Sequence, residues 1–277
     1  MLGAIIGDMV GSIYEFSNHR SKEFPFFSSE CYPTDDSIMT IAVTKAILEN
    51  KGETKGLSHK TVEWMRRIGQ QYPNCGYGGR FYDWMFCDHP QPYSSYGNGA
   101  AMRVSACGWV ANSVDQAKEL AYSVTAVTHD HPEGIWGAEA TACAIYLAKT
   151  GSSKDEIKSF IEENYYDLDF TLDDIRPRYR FNETCQGTVP QAIEAFLESD
   201  SFEDAIRNAI SVGGDSDTLA AITGGIAEAF YGIPDDIRDQ AIKQFRFGCK
   251  MHYPIASAKQ DPDLLSIVEA FEKTYNN

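Results

Sequence analysis

Two short acidic runs stand far apart in this chain, Thr34-Asp35-Asp36-Ser37 and Asp215-Ser216-Asp217-Thr218, and each opens into an apolar, helix-like stretch. Their four carboxylates and two threonine hydroxyls offer only hard oxygen ligands, which suit Mg²⁺, Mn²⁺ or Ca²⁺ and not zinc or copper. Ile38-Met39 and Ile41-Ala42-Val43 follow the first run, while Gly213-Gly214 precede the second and Leu219 to Ile222 follow it. Both sets of acids therefore fall at a helix N-terminus. Either run alone also reads as a helix cap, because Thr, Asp and Ser are favoured caps and acids in a first turn complement the helix dipole. A cap needs one side chain, however, and here each start carries two carboxylates that repel one another. A cation shared by both runs relieves that repulsion, which makes Thr34, Asp35, Asp36, Asp215, Asp217 and Thr218 the candidate ligands.

The elements that must position these residues are helical. Gly3, Gly7 and Gly11 recur at spacing four among Ile5, Ile6, Met9, Val10 and Ile13, which predicts a buried helix over 3–16 whose small-residue face admits another backbone. Asp8 and Glu15, seven apart, then lie two turns along one side. Asp8, between glycines, reads as an acid that caps or orients a neighbouring segment, whereas Glu15 at the helix end is the functional candidate. Helical spacing and caps predict further helices over 37–50, 58–71, 100–112, 115–126, 134–149, 153–164, 188–198, 202–211, 218–231, 234–246 and 262–275. Ser201, Asp115 and Asp261 read as caps, with Pro190, Pro234 and Pro262 near starts. Alternating strand-like runs are scarce, so the expectation is an all-α, compact multi-helix bundle forming one domain over 1–277.

Two loops interrupt the pattern, 73–99 and 166–187. The first ends in Ser95-Tyr96-Gly97-Asn98-Gly99 before Ala100, a Gly-rich turn whose backbone amides can face an anion beside a tyrosine that can stack on a base. Gly-x-Gly by itself is more often a plain turn. Thr128-His129-Asp130-His131 lies between two predicted helices and lacks the third ligand of a transition-metal site. His129 either hydrogen-bonds a ligand or carboxylate, or holds backbone groups.

Composition excludes several classes. The chain has 277 residues, 40 acidic against 24 basic, for a net charge of −16, so a broad nucleic-acid footprint is absent. A phosphate-bearing ligand would need local compensation from a metal, backbone amides or a placed Arg. The seven cysteines are odd in number and scattered, without a Cys-x-x-Cys pair, and read as reduced thiols of a cytoplasmic protein. Met1 to Phe16 contains Asp8 and Glu15 and lacks a basic leader, so it does not read as a signal peptide. No apolar run approaches the ~20 residues of a membrane span.

Several motifs together resemble the ADP-ribosylglycohydrolase family: Gly-Asp-x-x-Gly-Ser-x-Tyr-Glu at 7–15, Thr-Asp-Asp-Ser at 34–37, Tyr-Gly-Asn-Gly-Ala-Ala-Met-Arg at 96–103, Thr-His at 128–129 and Gly-Gly-Asp-Ser-Asp-Thr at 213–218. The resemblance spans nearly the whole chain. It implies an all-helical hydrolase with a binuclear centre of two divalent cations, Mg²⁺ or Mn²⁺, ligated by Thr34, Asp35 and Asp36 on one side and Asp215, Asp217 and Thr218 on the other. It further implies Glu15 near the reacting ribose, Tyr96, Gly97, Asn98, Gly99 and Ala100 around the diphosphate and adenine, and His129 lining the cleft. Asp35 and Asp36 count among the catalytic candidates with Glu15. The branch similar to dinitrogenase reductase-activating glycohydrolase carries an Asp before the Gly of the substrate loop, where this chain has Ser95 and Tyr96. That departure favours O-linked, serine-type conjugates over arginine-linked ones. The implied partner is an ADP-ribosylated protein or a small ADP-ribose conjugate, with no membrane.

The reaction so implied passes through an oxocarbenium-like transition state at the anomeric carbon of the distal ribose. Cations would orient the sugar and lower the pKa of a bound water. Glu15 would take a proton from that water or assist the leaving group. Two other classes stay open: a silent ADP-ribose-binding or structural homologue, of the kind a jellyfish lens crystallin resembles, and a metal-dependent phosphohydrolase. Free ADP-ribose with intact acceptor indicates glycosidic cleavage and separates it from both.

Overall fold

Apolar residues at helical spacing fold into fifteen α-helices and one short 3-10 turn in the computed structural model, which describes residues 1–259 and 262–275. Among the described residues the one strand-like pairing is an isolated antiparallel bridge between Gly97 and Thr184. The fold is all-α, as expected. One continuous apolar cluster runs from Met1, just ahead of the first helix, to Phe271 in the last. No helix of the described chain is long and apolar enough to cross a membrane, and all seven cysteines are free, six of them buried.

Several boundaries differ from the sequence expectation for local reasons. The first helix is Leu2–Gly11 rather than 3–16: its last i→i−4 bond runs from the Ser12 N–H to the Asp8 carbonyl at 2.8 Å, after which Tyr14 N–H reaches only Gly11 (2.8 Å) and Ser17 N–H only Tyr14 (3.2 Å), so the chain goes on in tighter turns. Glu15 therefore stands on a turn, and helical register is not what brings it near Asp8. The helix expected over 100–112 is a 3-10 turn, Asn98–Ala100, followed by a helix over Ser105–Val110. Both long loops hide helices, Gly79–Phe86 and Leu172–Ile175, and a further helix, Pro254–Lys259, follows Asp235–His252. Ser113, not Asp115, caps Val114–Thr125 by accepting from the Gln116 amide. Ser201 caps Phe202–Val212 as expected. Pro190 lies inside Cys185–Leu197, whose cap is Thr184. The last helix starts at Leu264, and Asp261 lies outside the described residues.

The glycine stripe does what its spacing predicts. Gly3, Gly7 and Gly11 lay the first helix directly on the helix Ser216–Tyr231: a Cβ at Gly7 would overlap the Ala220 carbonyl, and one at Gly11 would lie 2.5 Å from the Asp217 Cα. Helix Ser216–Tyr231 is thus seated backbone to backbone against the segment that leads to Glu15. Gly7→Ala is expected to lower stability at the upper end of the about 1–3 kcal/mol that overpacking costs, because the atom it would strike is backbone and not a movable side chain. Urea unfolding followed by circular dichroism measures this directly, and an unchanged midpoint would refute the close seam.

Candidate functional site

The first helix also builds the start of the second. Asp8 reaches across to the N-terminus of helix Asp35–Glu49, where its carboxylate accepts from the Thr34 amide (2.9 Å), the Thr34 hydroxyl (2.6 Å), the Ser37 amide (3.1 Å) and the Ser37 hydroxyl. These are orphan donors of a helix start, and Asp8 satisfies them in place of water. Thr34 is the N-cap, with its hydroxyl also accepting from the Asp36 amide at 3.3 Å. In the second run Asp215 is itself the N-cap position, reached through Gly213 and Gly214, which both take positive φ, +75° and +80°. This turn needs glycine on conformational grounds.

The two acidic runs, 180 residues apart in sequence, converge on one cavity of about 300 Å³. Glu15, Asp35, Asp36, Asp215, Asp217 and Thr218 line it, together with Gly97, Asn98, Gly99 and His129. Two groups of three carboxylates place their oxygens within 4.8 Å of one another: Asp8, Asp36 and Asp217, and Glu15, Asp215 and Asp217. Asp217 belongs to both. Asp35 lines the cavity outside these two groups, with its amide donating to the Cys75 carbonyl at 2.8 Å. Thr34 is buried beneath the cavity, and Ala100 is buried too. Tyr96 is half exposed beside the cavity, its ring edge-on to His131 with centroids 5.2 Å apart.

The electrostatics of this cluster call for a cation. Asp36 Oδ1 is buried and has no hydrogen-bond partner, and Oδ2 accepts only from the Thr218 hydroxyl at 3.3 Å. Asp35, Asp36 and Asp217 are pushed well above the carboxylate range, first by burial and then by the neighbouring acids. Asp215 and Asp8 rise to about 6, also by burial, partly offset by the hydrogen bonds they accept. Glu15 rises to about 8 through burial and the repulsion of Asp217, Asp8 and Glu183. An all-oxygen donor set with an orphaned buried carboxylate oxygen fits a hard divalent cation. Asp8 fits least, since its two oxygens already accept four hydrogen bonds.

These shifts fix a pH dependence. Acids whose pKa is higher in the folded than in the unfolded chain favour folding when protonated, so their contribution is full below about 4 and is lost as pH rises through about 6 for Asp8 and Asp215 and about 8 for Glu15. Thermal melts in chelator are expected to fall steadily between pH 5 and 8.5, and added Mg²⁺ or Mn²⁺ to flatten that slope by binding only the folded state. A chelated protein whose melting point rises over that range would contradict the picture.

Contacts that the motifs did not encode tie the cavity together. Asn98 Nδ2 donates to Asp215 Oδ2 at 2.7 Å and to the Thr188 hydroxyl at 3.2 Å, linking the Gly-rich turn to the second acidic run. That turn offers fewer free amides than its sequence suggests, because Asn98 N donates to the Glu183 carbonyl at 2.7 Å and Ala100 N to the Gly97 carbonyl at 3.1 Å. Asn18 binds the Glu15 carbonyl at 3.1 Å and both the carbonyl (3.2 Å) and amide (3.0 Å) of Gly214, which fastens the Glu15 turn to the second run. Arg103, fully buried yet lining the cavity, makes no ion pair with a carboxylate among the described residues. Only its place in Ala-Ala-Met-Arg could have flagged it, and its apolar neighbours read instead as helix.

An all-helical fold that gathers acids from two distant helix starts around one polar cavity defines an enzyme class with an oxygen-rich site. The family model for ADP-ribosylglycohydrolase matches residues 1–265, and the chain belongs to that family. Its members named below are hydrolases acting on ADP-ribose linkages, and this chain is an enzyme of that kind. It is 26% identical to the ADP-ribosylhydrolase ARH3 of Homo sapiens, over 90% of this chain and 88% of that protein. The mouse ARH3 is likewise 26% identical, over 84% of this chain and 83% of its own length. The ADP-ribosylarginine hydrolase Tri1 of Pseudomonas putida is 24% identical over 84% of this chain and 70% of its own. Among solved structures, an ADP-ribosylglycohydrolase-related protein complex superposes with a TM-score of 0.58 at 21% identity, covering 89% of this chain and 97% of that one, which speaks for the fold.

Proposed function

We propose that this chain hydrolyses the bond between the anomeric carbon of the distal ribose of ADP-ribose and an acceptor oxygen, with serine-type linkages preferred to arginine-type. The observation that carries the proposal is the convergence of Asp36, Asp215, Asp217 and Glu15 on one cavity with an unpartnered buried carboxylate oxygen. Thr34, Asp35, Asp36, Asp215, Asp217 and Thr218 would hold two divalent cations, Mg²⁺ or Mn²⁺. Such cations supply sugar orientation and a water of lowered pKa. Glu15 lines the cavity beside Asp215 and Asp217 and is the side chain that gives up or takes a proton at the reacting bond. The Tyr96 to Ala100 turn and His129 bind the remainder of the ligand, with Asn98 keeping that turn in register with Asp215. Ser95 and Tyr96, in place of an acid before Gly97, favour the O-linked reading.

One domain over 1–277 and a cytoplasmic setting belong to the same proposal. The continuous apolar cluster supports the first and the scattered thiols the second. The test is incubation with Mg²⁺ or Mn²⁺ against serine-, arginine- and acetyl-ester-linked ADP-ribose. Free ADP-ribose with intact acceptor, fastest from the O-linked substrates, is expected. Released phosphate, or binding without turnover, would sink the assignment.

A further inference from the structure

The Thr128-His129 pair connects to the buried arginine. Arg103 Nη2 donates to the Thr128 hydroxyl at 2.7 Å and points at His129 Nδ1 at 3.5 Å, and the Thr128 hydroxyl lies 2.7 Å from the same Nδ1. A guanidinium N–H has no acceptor role, so a hydrogen on Nδ1 would set donor against donor. The Thr128 hydroxyl has one hydrogen: the Thr125 carbonyl, at 3.4 Å, is much farther than Nδ1 at 2.7 Å, and the Tyr93 hydroxyl that also meets Thr128 carries a hydrogen of its own and can donate to it. Both neighbours thus require a lone pair on Nδ1. The hydrogen goes to Nε2, which makes no hydrogen bond among the described residues and sits over Gly97 and Gly99, where a Cβ on either would come within 3.5 Å of it. Burial and then Arg103 hold the imidazole well below its ordinary pKa, consistent with a neutral ring.

We infer that Arg103 and Thr128 are positioning residues that fix His129 in the Nε2–H tautomer, so that it presents one donor across the Gly97–Gly99 turn to an oxygen of bound ADP-ribose. The ligand half rests on the proposed function, and the ring half stands on the geometry alone. A donor fixed before binding loses no orientational freedom when the ligand arrives. The experiment is a ring-nitrogen correlation spectrum of the ¹⁵N-histidine-labelled protein, with calorimetric titration of ADP-ribose on the same samples. The expected wild-type pattern is protonated Nε2 and bare Nδ1 at His129. Thr128→Val, close in shape but without the hydroxyl, should lose that pattern and weaken ADP-ribose by about 10- to 100-fold, the scale of a hydrogen bond to a charged group. Thr128→Ser should restore both, which a purely packing role for Thr128 would not require. Protonated Nδ1 in the wild type, or an unchanged ring pattern in Thr128→Val, would overturn the tautomer lock. A wild type with the expected ring pattern and no affinity for ADP-ribose would overturn the ligand half together with the proposed function, while the lock would stand.

Discussion

Asp217→Ala is expected to abolish turnover and, in the absence of metal, to raise stability. Asp217 is the acid shared by both carboxylate groups, and it heads the repulsive neighbours of Glu15, Asp35 and Asp36. Deleting it removes a proposed metal ligand, so activity should fall by more than the about 10- to 100-fold typical of partners one shell further out. Deleting it also relieves like-charge crowding in the chelated protein, so the variant should melt above wild type in chelator at pH 8 and gain little from added Mg²⁺. Opposite signs in these two measurements distinguish a metal ligand from a structural acid. A variant that retains near-wild-type turnover, or that gains as much stability from added Mg²⁺ as the wild type does, would remove Asp217 from the centre.

Glu15→Gln is expected to cost about 10²–10⁴-fold in kcat, the usual contribution of a general acid or base, with little change in ADP-ribose affinity. Glutamine keeps the size and the hydrogen-bonding reach of the side chain and loses only the proton. Rates and product calorimetry on one preparation test this. Equal losses in both would make Glu15 a ligand-positioning residue, and unchanged rates would take it out of the chemistry.

The acidic runs were legible because cap and ligand chemistry coincide: Thr34 caps helix Asp35–Glu49 and Asp215 stands at the cap of Ser216–Tyr231, so helix-start signals pointed straight at them. Asp8 was legible as an orienting acid for the same reason, since Thr34 and Ser37 both need its acceptors. The end of the first helix was not, because Val10 and Ile13 continue the apolar spacing past Gly11, whereas the backbone changes to three-residue turns from Tyr14 on. The loop expected over 73–99 concealed helix Gly79–Phe86, whose burial of Phe81, Trp84 and Met85 outweighs the weak helix propensity of its first residue. Cys185 to Thr188 lack a periodic pattern, so Pro190 looked like a start when it lies mid-helix. Asn18, Asn98 and Arg103 act through contacts with residues far away in sequence, which no spacing rule encodes.

The seam between the first helix and Ser216–Tyr231 sets a tolerance for the whole centre. Gly11 meets the backbone of Asp217 with no side chain between them, so their separation is determined by van der Waals radii and not by rotamers. Elsewhere in the core a repacked methyl group can be absorbed by neighbouring side chains. Here there is no such cushion. The offset between the chain entering the Glu15 turn and the acid shared by both carboxylate groups behaves as a hard stop, so the spacing of the site can drift only through the Asn18-fastened turn that follows.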